Sequence, residues 1–261
     1  MPEGDTIRTL ATFLDKELAG QSPRSLRLRD EPGLDLGGTK IERVRSHGKH
    51  LFVELEDGID VRSHLGMHGS WHQYPLRAPW KRPARQASLI IEAGSEVYVC
   101  FNAKEVELVR RDGFRARDLR VHLGPDLLKP HDVDDIVARA RETCSPESPL
   151  IDVLLDQRVA AGIGNVYKSE VLFVERQAPL AFFSQTSDAV LGALYRRAAE
   201  LLARNIKGGP RRTRFVEGGS SELWVYRRDG RPCLVCDALI RRARLGRGQR
   251  STYWCPSCQA A

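Results

Sequence analysis

The chain has 261 residues, of which 41% are hydrophobic, and a formal net charge of +7 at pH 7. This length exceeds one typical domain, and the sequence has neither an apolar run long enough to span a membrane nor the basic, apolar start of a secretory signal. Four of the six cysteines form two Cys-x-x-Cys pairs rather than a disulfide framework, so we expect a cytoplasmic protein without a membrane partner.

The first 20 residues predict one amphipathic helix, with Asp5 or Thr6 as its cap and Gly20 at its end. Its apolar residues recur at helical spacing, at Ile7, Leu10, Ala11, Leu14 and Leu18. A single helix is therefore expected to open the chain.

Short strand-like runs follow from about residue 24 to residue 112. Gly, Pro and Asp-Gly separate them, which is typical of an antiparallel sandwich or barrel. Residues 74–86 carry three prolines and four basic side chains, and we predict an exposed loop there. The clearest strands are Ser25–Leu28, Leu51–Leu55, Ala87–Glu92 and Glu96–Asn102.

Helical periodicity replaces the strand pattern near residue 123 and continues to about Ile206. We therefore predict a first domain at 1–123, a linker at 124–132, a helical domain at 133–210 and a metal module at 211–261. The clearest helices are Leu150–Asp156, Val166–Val174 and Ser187–Asn205.

Two Cys-x-x-Cys pairs in the last fifth of the chain predict a zinc site. Cys233 and Cys236 form the first pair, and Cys255 and Cys258 form the second after eighteen intervening residues. Each short knuckle can place two thiolates on one face of a tetrahedron, whereas a redox dithiol would need only one pair. We expect one structural zinc ion, held by all four cysteines at the base of a β-hairpin.

The excess positive charge surrounds this zinc pattern. Residues 204–261 hold thirteen Arg and Lys against four Asp and Glu, a local net charge of +9, so the rest of the chain is slightly negative. Because neutralising phosphates releases counterions, such a concentration of charge favours a nucleic-acid partner. The alternative interpretation is a solvated basic face.

The start of the chain contains a candidate nucleophile and a candidate acid. Removal of Met1 would leave Pro2 with a free secondary amine, and α-amino groups ordinarily titrate near ~8. Such an amine can attack a sugar C1′, expel a base and leave an iminium. Glu3 can serve as the general acid and base. Taken alone, Pro2 is more often helix punctuation and Glu3 a carboxylate that favours a helix start.

Two further candidates lie in the strand-rich half. Lys49 follows Gly48 at the entry of an apolar strand, which fits a turn that presents an ammonium group into a cleft; a solvated strand-end lysine is the alternative. Met67 lies between Gly66 and Gly69, where an exposed apolar wedge is the sharper interpretation. The neighbouring histidines share strand parity, but the same glycines interrupt the strand and no carboxylate completes a ligand set. No second metal site is expected.

The helical half and the zinc module each add one candidate for phosphate binding. The turn Gly162-Ile-Gly-Asn165 opens a helix and could offer backbone amides to a phosphate, although glycine-rich helix turns are common. Arg250 lies five residues before Cys255, and we expect it to project from the hairpin close to the metal. One more solvated arginine is the alternative.

Together these residues resemble the formamidopyrimidine-DNA glycosylase and endonuclease VIII family. Each motif is modest alone, but their order and spacing make coincidence improbable. The motifs span nearly the whole chain: Pro2-Glu3-Gly4, Gly48-Lys49, His64-Leu-Gly-Met67-x-Gly-Ser70, Leu155-Asp-Gln157, Gly162-Ile-Gly-Asn165-x-Tyr167 and Arg250-x-x-x-x-Cys255-Pro-x-Cys258-Gln259.

The resemblance implies a two-domain α+β protein. An N-terminal helix and antiparallel β-sandwich would precede a helix-two-turn-helix domain with a β-hairpin zinc finger. The implied function is that of a bifunctional DNA glycosylase and AP lyase of base excision repair. Such an enzyme would act as a monomer on damaged DNA in the bacterial cytosol or nucleoid, with the target nucleotide turned out of the stack.

The same resemblance implies a role for each candidate residue. Pro2 would be the Schiff-base nucleophile, and Glu3 the proton donor for base release. Lys49, Asn165 and Arg250 would contact the DNA phosphates. Lys49 would also assist β-elimination, and Arg250 would support δ-elimination. Met67 would fill the space left by the everted nucleotide.

The details of the sequence favour one branch of the family. Gly4 in the opening motif is more similar to the endonuclease VIII branch, associated with oxidised pyrimidines, than to the branch associated with oxidised purines. Thr6 departs from the acidic residue usual in the family, and residues 102–107 lack the usual Arg and Phe of the wedge. Two alternatives stay open: a non-catalytic zinc-dependent DNA-binding protein, and a purine-lesion glycosylase of the same fold.

Overall fold

The structure is a computed structural model that describes residues 2–216 and 221–260. These residues form two compact units. Pro2 and Ile7–Arg120 make up the first unit, whereas Glu3–Thr6 belong with the second, which continues from Val121. The domain limits expected from the sequence stay predictions, and they do not anticipate that the start of the first helix packs with the C-terminal unit.

The first helix, α1, spans Gly4–Leu18 and buries an apolar stripe that includes Ile7, Leu14 and Leu18. Gly20 follows with a φ of +82°, a conformation that glycine adopts without strain. The helix begins at Gly4, so the expectation that Asp5 or Thr6 caps it was wrong.

Two four-stranded antiparallel sheets complete the first unit. Their strand orders are β1-β6-β7-β5 and β2-β3-β4-β8. The strand bounds are β1 Ser25–Leu28, β2 Ile41–His47, β3 His50–Leu55, β4 Ile59–His64, β5 Ser70–Pro75, β6 Ala87–Ala93, β7 Glu96–Phe101 and β8 Glu105–Arg110. The four strands predicted from sequence are confirmed to within one residue.

Beside a smaller cluster around Tyr74 and Phe101, this unit has one large apolar core. Side chains from both sheets contribute to it, including Leu89 and Ile91 of one sheet and Val53 and Val61 of the other, together with the buried stripe of α1. Buried and exposed residues do not alternate along the central strands as they would in a sheet with one solvated face, because β3 and β7 each bury five of six residues. The predicted antiparallel sandwich is therefore confirmed.

The second unit is built mainly from helices. A short helix, α2 (Phe114–His122), precedes it and lies mostly in the first unit, which ends at Arg120. This helix was not predicted, because among its described side chains only Ala116 and Leu119 are buried apolar positions, too few to show a period. The remaining helices are α3 Val133–Thr143, α4 Leu150–Leu155, α5 Asn165–Val174 and α6 Asp188–Arg204. Their apolar faces form a single core, with α5 buried along nine of its ten residues.

A two-stranded hairpin, β9 (Arg241–Leu245) and β10 (Arg250–Trp254), ends the described chain. Cys255 follows β10 directly, so the cysteines lie at the base of the hairpin, as predicted. Tyr253 and Ile240 pack with Phe173 of α5 in a small separate core. None of the helices in the described ranges is long and apolar enough to cross a membrane.

Candidate active site and zinc module

The Glu3 carboxylate is fully buried in the second unit, at the start of α5. Its oxygens accept hydrogen bonds from the backbone amides of Gly164 at 2.7 Å, Val166 at 2.8 Å and Tyr167 at 3.3 Å. A helix start leaves several amides without intrahelical partners, and its dipole favours a negative group. The N-terminus of α5 therefore fixes the position of Glu3.

Glycines make this close approach possible. A Cβ on Gly164 would lie 2.4 Å from the Glu3 Cδ, and a Cβ on Gly4 would lie 3.0 Å from the Gly162 Cα. The Gly4 amide also donates to the Gly162 carbonyl at 3.0 Å. Gly162 has a φ of +126°, which disfavours other residues. The glycine motif is thus required by the packing of the opening segment against it.

This arrangement corrects one expectation from the sequence. The turn before α5 was read as a possible phosphate cradle, but the Glu3 carboxylate occupies the amides of Gly164, Val166 and Tyr167. A phosphate at the same amides would have to displace a buried carboxylate of like charge. Asn165 itself is buried as the first residue of α5, so its assigned role in phosphate binding stays a prediction.

Arg211 is a component of the site that sequence reasoning missed. Its guanidinium donates to both Asp5 carboxylate oxygens at 2.7 Å and to the Thr6 hydroxyl at 2.9 Å, and it lies 3.9 Å from the Glu3 carboxylate. At Thr6, where the sequence departs from the acidic residue usual in the family, the hydroxyl therefore accepts a hydrogen bond from Arg211. No local pattern could reveal this, because more than 200 residues separate the partners.

Burial and the neighbouring negative charges shift the pKa of Arg211 in opposite directions. Burial lowers the pKa of Arg211, but the hydrogen bonds and negative charges of Asp5 and Glu3 outweigh that effect and raise it above its ordinary value. Tyr167 donates its hydroxyl to Asp5 at 2.8 Å, and burial together with the Asp5 charge raises the pKa of Tyr167. Arg211 thus stays cationic and Tyr167 stays protonated near neutral pH.

Two charged side chains in the interior of α5 connect it to the zinc module. Glu170 is fully buried and accepts hydrogen bonds from the amides of Trp224, Val225 and Tyr226. Lys168 donates to the Thr252 hydroxyl at 2.8 Å, on the strand that begins with Arg250. The sequence does contain a signal for these contacts: Lys168 and Glu170 lie within an otherwise mostly apolar helix, where a charged side chain needs a partner.

Lys168 also has an altered pKa. Burial lowers the pKa of Lys168 to about 8, although the negative charges of Glu3 and Asp152 act in the opposite direction. Its ammonium form is therefore disfavoured in the folded protein relative to the unfolded chain, where the ordinary value is 10.5.

Replacing Lys168 by Met is expected to alter how stability depends on pH. Because the folded pKa is lower than the unfolded one, the unfolded chain binds more protons between pH 8 and 10.5, and wild-type stability gains across that window. The free energy of unfolding of the wild-type protein relative to Lys168→Met should therefore rise by about 3 kcal/mol between pH 7 and pH 10.5. Urea unfolding of both zinc-loaded proteins measures it, and a pH-independent difference would contradict it.

Three other sequence-predicted residues, Pro2, Lys49 and Met67, belong to the first unit. Pro2 is half-buried and joined directly to Glu3. Lys49 occupies the two-residue turn between β2 and β3, after Gly48 with a φ of +54°, as expected. Met67 lies in the turn between β4 and β5 with 58% of its surface exposed, which agrees with an exposed wedge.

The histidines near Lys49 form no metal site. His50 and His64 stack with ring centroids 4.8 Å apart, and burial lowers the pKa of each, to about 3 and about 4. His72 lies on β5, in the other sheet. Among the described residues, the one group of His, Cys, Asp or Glu that could hold a metal ion is the four cysteines.

Cys233, Cys236, Cys255 and Cys258 form the zinc site. Their four sulfur atoms all lie within 4.8 Å of one another, and three of the separations are 3.3, 3.5 and 3.9 Å. Sulfurs at the corners of a tetrahedron around zinc would be about 3.8 Å apart, given a zinc–sulfur bond of about 2.3 Å. The site is closed by four protein ligands, so the zinc it holds is structural.

Arg250 lies at the opposite end of its hairpin from these cysteines. It opens β10 opposite Leu245, next to the turn, whereas Cys255 follows the end of the strand. The five residue steps from Arg250 to Cys255 span roughly 17 Å in an extended strand. The expectation that Arg250 projects close to the metal was therefore wrong, because an extended strand carries it to the hairpin tip.

Removing one zinc ligand is expected to unfold this module. Cys255→Ser should reduce bound zinc well below one ion per chain and weaken DNA binding, since a tetrathiolate site contributes folding energy. Cys144→Ser removes a half-buried thiol outside the zinc group and serves as the matched control. Metal analysis and DNA titration measure both effects. Full zinc content in Cys255→Ser would contradict the prediction, as would an equal loss in the control.

Comparisons with known proteins agree with this architecture. Residues 1–106 match the formamidopyrimidine-DNA glycosylase N-terminal domain, residues 123–216 the formamidopyrimidine-DNA glycosylase H2TH domain, and residues 230–261 the zinc finger found in FPG and IleRS. The chain is 38% identical to a probable endonuclease 8 2 of Streptomyces coelicolor, over 100% of this chain and 94% of that protein.

Two further similarities cover essentially the whole chain. It is 35% identical to the DNA-(apurinic or apyrimidinic site) lyase Nei2 of Mycolicibacterium smegmatis, over 100% of both proteins. Its fold matches the Lactococcus lactis Fpg solved with DNA that contains an abasic site, with a TM-score of 0.83 and 25% identity over 99% of this chain and 100% of that one.

Proposed function

Since the chain belongs to the formamidopyrimidine-DNA glycosylase family, in its endonuclease VIII branch, we propose that it removes oxidised pyrimidines from DNA through Pro2. It is a DNA glycosylase with AP lyase activity, of the base excision repair class. The lesion preference and the residue roles are our proposal. We further propose that it acts as a monomer, in the bacterial cytosol or nucleoid.

The observation that carries this proposal is the buried Glu3 carboxylate directly after Pro2. Buried charges are costly unless they are paired or hydrogen-bonded, and Glu3 has three amide donors with Arg211 close by. A helix start does not need a fully buried carboxylate and a nearby arginine for its own stability. A carboxylate held this rigidly, one residue from a proline amine, is suited to moving a proton beside a nucleophile.

The proposed reaction begins after Met1, which lies outside the described residues, is removed. The Pro2 nitrogen forms a bond to C1′ as the bond from C1′ to the base breaks, and Glu3 passes the proton that the Pro2 amine loses to the departing base. The sugar ring then opens: the bond from C1′ to O4′ breaks, O4′ takes up a proton, and the nitrogen lone pair forms the iminium. The resulting iminium acidifies C2′. Loss of that proton and of the 3′ phosphate is the β-elimination, and loss of the 5′ phosphate is the δ-elimination.

Four residues would hold the DNA during these steps. Lys49 and Arg250 each lie at a hairpin turn, which is where a cation can reach a phosphate with little obstruction. Asn165 would contact the backbone, and the exposed Met67 would fill the space left by the everted nucleotide. These assignments rest on the family motifs, supported by the exposure and turn positions given above.

A lesion panel tests the proposed substrate class. Duplexes that contain thymine glycol, dihydrouracil, 8-oxoguanine or an abasic site are each incubated with the zinc-loaded protein and borohydride. We expect covalent trapping on all substrates that are processed, with the pyrimidine lesions released faster than 8-oxoguanine. Faster release of 8-oxoguanine would indicate a purine-lesion enzyme. Binding to every duplex without trapping would indicate a non-catalytic DNA-binding protein.

A further inference from the structure

One basic and aromatic surface of the first unit has no part in the proposed chemistry. It is formed by residues 76–86, the connection between β5 and β6. The sequence predicts an exposed loop over 74–86, but its first two residues belong to β5, where Tyr74 is buried. The loop carries four basic side chains and no acidic one. Its prolines limit the conformations it can adopt. It therefore presents positive charge from a restricted backbone.

Trp80, at the centre of this loop, is held by aromatic contacts. Its ring stacks on Tyr74 with centroids 6.3 Å apart at 23°, and it meets Phe101 edge-on at 5.8 Å and 81°. The amide of Lys81 donates to the Tyr74 hydroxyl at 3.2 Å, which fixes the loop over the sheet. Trp80 is half-buried, so part of its surface remains accessible on a rigid support.

A cavity of about 440 Å³ lies beside this ring. It is large enough for one nucleobase with part of its sugar. Its floor is apolar, and its rim is basic. The lining includes Trp80, Arg85, Ser88, Ile90, Arg27 and Arg29.

The cations of the loop differ from the two arginines at the rim of the cavity. Arg27 and Arg29, at the rim, pair with Glu92 and Asp30. Within residues 2–216 and 221–260, no salt bridge involves the four basic side chains of the loop, Arg77, Lys81, Arg82 and Arg85. An uncompensated positive cluster beside an accessible ring is complementary to a polyanion with flat bases.

This surface is continuous with the loop that carries Met67. The amide of Asn102 donates to the Gln86 carbonyl at 2.9 Å, and the amide of Ala103 donates to the Ser88 hydroxyl at 3.1 Å. The following residue, Lys104, packs against Gly66, next to Met67. All of these contacts lie within the first unit. The cavity and the Met67 loop are therefore connected through residues 102–104 of the same unit.

We propose that this cavity is a subsite for an unpaired DNA strand, in which Trp80 stacks on a base and the loop cations bind the adjacent phosphates. The proposal rests on the proposed function only in that the protein acts on DNA. The base faces of duplex DNA are stacked within the helix and cannot reach a ring in a cavity. An unpaired strand offers both the faces and the charge, which is the usual chemistry of single-strand binding.

The test measures binding of a fluorescein-labelled twelve-nucleotide oligothymidylate to the full zinc-loaded chain, by anisotropy at several salt concentrations. Trp80→Leu is expected to weaken binding roughly 10-fold, and Trp80→Phe to retain most of it, because a ring preserves stacking. Lys81→Gln with Arg85→Gln should reduce the slope of log affinity against log salt by about 1.4. The matched control is Arg110→Gln with Arg117→Gln, which removes two exposed cations from elsewhere in the unit.

Several outcomes would overturn the proposal. These are no binding of the oligothymidylate by the wild-type protein, equal binding by all variants, or an effect of the control as large as that of the loop variants. If the loop variants lost binding to a labelled octaglutamate peptide while their oligothymidylate binding equalled that of the wild type, the surface would be assigned to an acidic protein partner instead. The charge variants keep the test decisive if Trp80→Leu does not fold. Borohydride trapping of the wild-type protein on abasic duplex tests the proposed function separately.

Discussion

Replacing Pro2 with Gly is expected to slow cleavage at an abasic site by about 100-fold or more. The secondary amine of proline gives a permanently charged iminium when it attacks C1′, whereas the primary amine of glycine gives an imine that must be protonated first. Proline also restricts the backbone immediately before Glu3, and glycine would release it. Single-turnover cleavage of an abasic duplex by the zinc-loaded variant measures the effect.

A protein whose Pro2 amine is blocked provides a second test of the same role. A protein that keeps one residue in front of Pro2 has an amide nitrogen there, which is not nucleophilic, and cleavage should fall to background. DNA affinity should change little in either protein, since the predicted phosphate contacts lie elsewhere in the chain. Cleavage at the wild-type rate by the blocked protein would show that another group forms the Schiff base.

Replacing Glu3 with Gln is expected to separate the two activities. Release of a damaged base should fall by about 10²- to 10⁴-fold, because the departing base loses its proton donor. Cleavage of a preformed abasic site should fall much less, since no base remains to be protonated. Gln retains the length of the side chain, so it can still accept hydrogen bonds from part of the α5 amide group. The measured quantity is the ratio of base release to abasic cleavage.

Glu170→Gln is the matched control for Glu3→Gln. Glu170 is also a fully buried glutamate anchored by three backbone amides, and it lies on α5, the helix whose start holds the Glu3 carboxylate. Its replacement should lower stability and reduce both activities in parallel. If Glu3→Gln left the ratio unchanged, or if Glu170→Gln changed it equally, Glu3 would be a structural carboxylate rather than the proton donor.

Local pattern was enough to predict most elements of the fold. The apolar stripe of α1, the buried strands β3 and β7, and the cysteine spacing each reflect interactions within a few residues, or a metal geometry that fixes spacing directly. The failures were also physical. The helix α2 buries too few apolar side chains to show a period, and the start of α1 was misplaced because Asp5 binds Arg211 instead of capping the helix.

The sequence indicates a candidate site residue only where its own chemistry and its neighbours in sequence suggest a role. Pro2, Lys49 and Met67 each have a chemistry that their immediate neighbours make visible. The interactions that position Glu3 were not predictable, because Gly164 and Arg211 reach it from positions more than 160 residues away. From the sequence alone the glycine motif predicts a phosphate site, because the sequence does not show that the Glu3 carboxylate already occupies its amides.

The most direct measurement is to locate the covalent bond between protein and DNA. Wild-type protein with bound zinc is trapped on an abasic duplex by borohydride, digested with protease and nuclease, and the adduct is mapped by tandem mass spectrometry. We expect the sugar remnant on the nitrogen of Pro2, with Met1 absent. An adduct on Lys49, Lys168 or any other side chain, or no adduct despite strand cleavage, would contradict the proposed mechanism.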